Sequence, residues 1–105
     1  MNNQIQLIGN IGNNPEITNF ESGAKKVKFS LATNEKYRDK TGEYTTRTSW
    51  HNVYAWGSTA KYIISNAKKG AQLTVIGALK NRTYMAKDGN KRKITEIEIK
   101  KAIIS

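Results

Sequence analysis

Apolar side chains in this chain return at every second position through segment after segment. That is the period of a strand with one buried face, not of a helix. Ile5, Leu7 and then Ile11 mark a first strand, interrupted by Gly9 and Gly12, where glycine inside a strand signals a bend or bulge. Asn13-Asn14-Pro15 and Glu21-Ser22-Gly23 are turn signals around a short extended piece at Ile17 and Phe20. Val27, Phe29 and Leu31 alternate with Lys26, Lys28 and Ser30 to give a half-buried second strand. Asp39-Lys40-Thr41-Gly42 then closes a long hairpin into a third strand from about Tyr44 to Trp56.

The period changes once. Ala60, Ile63, Ile64 and Ala67 fall at helical spacing, with Ser58 placed to cap the start and Gly70 to end the turn. Leu73, Val75, Gly77 and Leu79 form a fourth strand, and Asp88-Gly89-Asn90 turns the chain into a fifth through Ile94, Ile97 and Ile99. Apolar parity shifts between Ile99 and Ala102-Ile103-Ile104, which calls for a bulge or a strand end. The expected fold is all-β: a five-stranded OB barrel with one α-helix between strands three and four and long β-hairpin arms. A small SH3-like barrel is the alternative, but it does not readily supply a helix at that place.

No linker, repeat or low-complexity stretch divides residues 1–105, which read as one domain with a modest core. There is no cysteine, so disulfides and thiolate chemistry are excluded. No apolar run approaches the roughly 18 residues that span a bilayer, and the start, Met1-Asn2-Asn3-Gln4, lacks the features of a secretion signal. The net charge of +10 is more informative, because a domain this basic gathers polyanions. The cations fall in strand-like segments rather than along an amphipathic helix, which favours nucleic acid over a membrane surface.

Strand parity then asks which side chains meet such a partner. In the third strand Trp50, Asn52, Tyr54 and Trp56 share one face, and His51, Val53 and Ala55 the other. Val53 and Ala55 suit a narrow barrel interior and Asn52 does not, so the tryptophan face is the outer one. Leu73, Val75 and Leu79 set the inner parity of the fourth strand and leave Lys80, Arg82 and Tyr84 outside. Parity leaves Tyr37 undecided, on an arm beyond the barrel. Exposed rings among cations fit single-stranded nucleic acid, whose bases stack and whose phosphates attract.

The segments Leu7 to Glu16, Ser30 to Glu35, Trp50-His51-Asn52-Val53 and Lys69-Gly70 closely resemble bacterial single-stranded DNA-binding proteins, in order and over essentially the whole chain. The resemblance implies a homotetramer acting in DNA replication, recombination and repair in the bacterial cytoplasm, on nucleoid DNA. It implies base stacking on Tyr37, Trp50, Trp56 and Tyr84, all aromatic although tyrosine and tryptophan stand where tryptophan and phenylalanine are frequent. Lys69, Lys80 and Arg82 match residues lining the DNA path, whereas Asn52 and Ser58 replace basic residues found there. Tyr54 is a further stacking candidate. Arg38, Lys40, Lys87, Lys91 and Arg92 on the hairpin arms are added on electrostatic grounds.

His51, the only histidine, has no nucleophile motif beside it and sits on the inward parity; the resemblance places it at a subunit contact. Ile76, on the outer stripe of the fourth strand, is expected to join dimers. No catalytic residue, metal or cofactor is expected, and a ribonuclease finds no general acid and base pair here. An OB-fold RNA-binding or primosome protein and a pure docking module are the other readings. Family members usually continue into a flexible segment with an acidic tip that recruits other repair proteins. This chain stops at Ile103-Ile104-Ser105, so no recruitment through such a tail is expected.

Overall fold

Six strands and one helix follow one another in a computed structural model that describes residues 2–105. They are β1 (Ile5–Ile11), β2 (Glu16–Asn19), β3 (Lys25–Arg38), β4 (Tyr44–Trp56), α1 (Gly57–Asn66), β5 (Gln72–Met85) and β6 (Lys91–Ile104). Neighbours run β1-β5-β6-β4-β3-β2, and a second pairing of β1 with β3 closes five of the strands into a barrel. β4 and β6 pair in parallel at Val53–Ile97 and Tyr54–Glu98; the other ladders are antiparallel. This is the expected OB barrel, with its helix between the third and fourth barrel strands. β2 is an addition to the expected five. It is the extended piece at Ile17, and it pairs only with β3, outside the closed ring.

The interior collects the alternating residues: Val27, Phe29 and Leu31 from β3, Val53 and Ala55 from β4, Leu73 and Val75 from β5, and Ile97 and Ile99 from β6. α1 closes one side with Ala60, Ile63 and, at its end, Ala67. Fully burying each Val, Leu or Ile contributes about 1.5–3 kcal/mol, so this set carries most of the stability. The helix differs from expectation at its start. Trp56 occupies the cap position with extended backbone and no capping side chain, and Ser58 falls inside the first turn, exposed.

The predicted change of parity near the C-terminus is a bulge. Ile76 pairs with Lys101 and Gly77 with Ile99, so Lys100 is the extra residue. Gly77 is required there, since any Cβ would run into the Glu98 carbonyl. Leu79 does not pack as its parity suggests. It is 45% exposed where β5 leaves the barrel for its arm, and its backbone is held both ways by the Asn3 side chain, at 3.0 and 2.9 Å. It faces a cleft of about 340 Å³ lined also by Ile5, Trp50, His51, Asn52, Thr95 and Ile97.

Past the barrel the strands continue as two bare arms, β3–β4 out to Arg38–Tyr44 and β5–β6 out to Met85–Lys91. Each tip is organised by an aspartate, as their turn sequences imply. Asp39 accepts from the Thr41 N–H at 2.9 Å and the Glu43 N–H at 3.1 Å, and Asp88 from the Asn90 N–H at 3.0 Å. The Thr41 hydroxyl also donates to Asp39, at 2.6 Å; that bond first for Asp39, and the Asn90 backbone N–H first for Asp88, hold both carboxyls below the ordinary aspartate range.

Candidate nucleic-acid interface

On β4 the core takes Val53 and Ala55, so the pleat turns Trp50, Asn52, Tyr54 and Trp56 the other way. Trp50 is 62% exposed and Trp56 41%, with Tyr54 half-buried between them. The Trp50 indole does not wave freely. It lies against Gly12, where a Cβ would collide with the ring, and the Gly12 N–H is itself fixed to the Ser30 carbonyl at 2.9 Å. The glycine read from sequence as a bend thus seats a ring. His51, on the inward parity, is half-buried with its Nε2 2.9 Å from Thr33 Oγ1.

Cations surround this stripe. Register sets Lys26 beside Trp56 and Lys28 beside Tyr54. The Lys26 ammonium lies 5.0 Å from the Tyr54 ring centre and 5.3 Å from that of Trp56, within cation–π range. From β5 come Lys80 and Arg82. These two, expected from sequence to meet phosphates, each have a carboxylate of β6 set beside them. Arg82 Nε donates to Glu96 Oε1 at 2.8 Å, Lys28 lies 3.4 Å from the same carboxylate, and Lys80 lies 3.8 Å from Glu98. Glu98 also accepts from Lys100 at 2.9 Å.

Glu96 is only 5% exposed, and the bond from Arg82 holds its carboxyl below the ordinary glutamate range. The same bond raises the guanidinium. Partial burial, then the charges of Glu98 and Glu96, push the Tyr54 hydroxyl above the usual tyrosine value, so it stays neutral at any physiological pH. The face therefore presents neutral rings among cations that are already held in place.

The arms carry the remaining candidates. Tyr37 shares the parity of Leu31 and His51 along an unbroken ladder, which settles the question sequence left open: it lies on the opposite side from Trp50. It is exposed and stacked 4.8 Å from the Arg47 guanidinium; Arg38 lies 5.1 Å over Tyr44, and Lys40 is exposed in the turn. On the other arm Tyr84 is exposed, 5.9 Å from Arg82, with Lys87 and Lys91 also exposed. Arg92 is bonded to Asp88 at 2.9 Å. Lys69 precedes Gly70, whose N–H donates to the Ile11 carbonyl at 2.8 Å, and so it sits near the Gly12 seat of Trp50.

Trp50, Tyr54, Trp56, Lys80 and Arg82 thus share one sheet face, while the arm residues flank it. His51 and Ile76 are not brought together: His51 lines the cleft, whereas Ile76 is half-buried on the outer face of β5 beside Gln6 and Lys101. Sequence reasoning missed Lys26, Lys28, Arg47 and Phe20. The two lysines had a signal, their strict alternation with Val27 and Phe29. Among the described residues no cluster of His, Cys, Asp or Glu could hold a metal ion, and no helix is long and apolar enough to cross a membrane.

The family model of the single-strand binding protein family matches residues 2–104. This chain belongs to that family. Proteins of the single-strand binding family bind DNA and are not enzymes. Single-stranded DNA-binding protein 1 of Xylella fastidiosa is 42% identical over 99 residues, covering 93% of this chain and 73% of its own. The protein of the same name from Chlorobaculum tepidum is 41% identical over 96 residues, 90% of this chain and 59% of its own. Among solved structures, Plasmodium falciparum SSB in complex with ssDNA superposes with a TM-score of 0.88 at 32% identity, covering 100% of this chain and 96% of that one. A deletion mutant of the Thermus aquaticus single-stranded DNA-binding protein shares the fold, with a TM-score of 0.83 at 24% identity over 98% of this chain and 50% of that one.

Proposed function

We propose that this chain binds single-stranded DNA without sequence preference and shields transient single strands during replication, recombination and repair. One observation carries the reading. Trp50 and Trp56 stand exposed on the solvent face of a strand whose other face is core, in a sheet that also presents Lys26, Lys28, Lys80 and Arg82. Two terms add. Rings stack on bases at roughly 1–3 kcal/mol each, and cations release counterions from phosphates with a salt slope of about −0.7 per contact. Neither reads base edges, and a duplex offers no free base face.

Trp50, Trp56, Tyr54, Tyr84 and Tyr37 are the stacking residues in this reading. Lys69, Lys80, Arg82, Arg38, Lys40, Lys87, Lys91 and Arg92 meet phosphates, joined by Lys26 and Lys28. Such a role places the protein on nucleoid DNA in the cytoplasm.

The chain assembles with copies of itself, as a tetramer. Register aligns Ile8, Thr74 and Ile103 across β1, β5 and β6, with Ile8 and Ile103 exposed and Ile76 one row away. Among the described residues β1 pairs with β3 only at Asn10 and Ile11, so its second edge is unpaired over Ile5–Ile8, and an open edge invites pairing. His51 contributes from the neighbouring cleft.

Titration with oligo-dT at several salt concentrations tests the binding, read by tryptophan emission alongside particle mass. Strong quenching that weakens with salt is the expected result. Unchanged emission at saturating DNA sinks the reading, and tighter binding of matched RNA reassigns it.

A further inference from the structure

One ring on this surface lies outside the strand pattern that singles out the others. Phe20 follows β2 and opens the turn into β3, its N–H bonded to the Ala24 carbonyl and its carbonyl to the Gly23 N–H, each at 2.9 Å. A phenylalanine in so tight a turn gains most by folding onto the core. It does not: Phe20 is 43% exposed and takes no part in the interior cluster. Its ring centre lies instead 5.5 Å from that of Trp56, with the planes tilted by 32°. Thr18, Lys26 and Trp56 stand side by side on β2, β3 and β4, so the turn is carried to the end of the tryptophan stripe by register.

We propose that Phe20 is a further base-contacting residue, forming with Trp56 a two-ring platform for one unpaired base while Lys26 faces its phosphate. The proposal rests on the single-strand reading above and extends it to a residue that stacking logic on strands does not reach. The rings already touch, so a base does not slide between them; it lies across the surface they present jointly. The Lys26 ammonium lies over the Trp56 ring, 5.3 Å from its centre, and so brings a positive charge to the same platform. β2 has four residues, all exposed, and pairs on one side only, so the turn can adjust to a base at little cost.

The test uses a Trp50→Phe background, in which tryptophan emission comes from Trp56 alone. Phe20→Leu keeps apolar bulk and removes the flat face; Phe20→Tyr keeps both. Oligo-dT affinity should fall about fivefold or more in Phe20→Leu, the low end of one lost stack, and return to within about twofold in Phe20→Tyr. Equal affinity in Phe20→Leu overturns the proposal and leaves the single-strand reading standing, because Phe20 then only props the turn. Loss in both variants together with a lowered melting temperature also overturns it, as a structural role. If the unsubstituted chain fails to bind oligo-dT, the parent reading falls and takes this one with it.

Discussion

The Trp50 indole rests on Gly12, with no room between them for even a methyl group. A ring that is mostly in solvent is thereby held at one angle, and a preset ring loses less freedom when a base stacks on it. Gly12→Ala should tilt Trp50 off its seat and weaken oligo-dT binding, by no more than the roughly 1–3 kcal/mol expected for Trp50→Ala. Neither variant should unfold the domain, whereas Leu73→Ala in the core should cost about 2–5 kcal/mol of stability. Thermal melts beside binding titrations check both halves.

Acid should act through Glu96. Its carboxyl is depressed in the folded chain by Arg82 and, further off, Lys28, so its contribution is complete above the unfolded glutamate value of about 4.3. That contribution is lost as pH falls through the lower folded value. Stability should therefore decline below about pH 4, and the difference between the chain and Glu96→Gln should shrink over the same range. A difference that holds constant from pH 7 to pH 3 in urea melts contradicts this account.

Lys80 separates charge from structure. Its partner Glu98 keeps Lys100, and its own ion pair is long and half in solvent, so removing it should leave folding within about 0.5 kcal/mol. Lys80→Ala should flatten the salt dependence of oligo-dT binding by about 0.7 in slope. Arg82→Ala should do the same but also destabilise the fold, since it strips the closest partner from a buried carboxylate.

The outer face of β1, β5 and β6 is tested by charge. Ile76→Lys puts a cation beside Lys101 in a half-buried site, and light scattering should then report a smaller particle. An unchanged mass removes Ile76 from the assembly contact.

Much of this was legible because a period of two is hard to counterfeit. Val53 and Ala55 inward, and Trp50 and Trp56 outward, follow from four residues and one pleat. The helix was readable from Ala60, Ile63 and Ala67, and the bulge at Lys100 from a parity that would not continue. What failed to show depends on neighbours distant in sequence. Leu79 has the parity of a core residue, but its burial depends on where the barrel ends. Lys80 and Arg82 look free until β6 brings Glu96 and Glu98 alongside. Phe20 lies in a turn, where no period operates, and only the β2–β3 register carries it to Trp56.

The two arms extend past the last buried residue of their strands, with solvent on both sides. Nothing inside the barrel constrains their length, so residues could be added there without repacking anything. Adding one residue to each strand would turn every outer face beyond the insertion over; adding two would restore it. The reach of the molecule along a polymer can thus drift in steps of paired residues while its interior stays untouched.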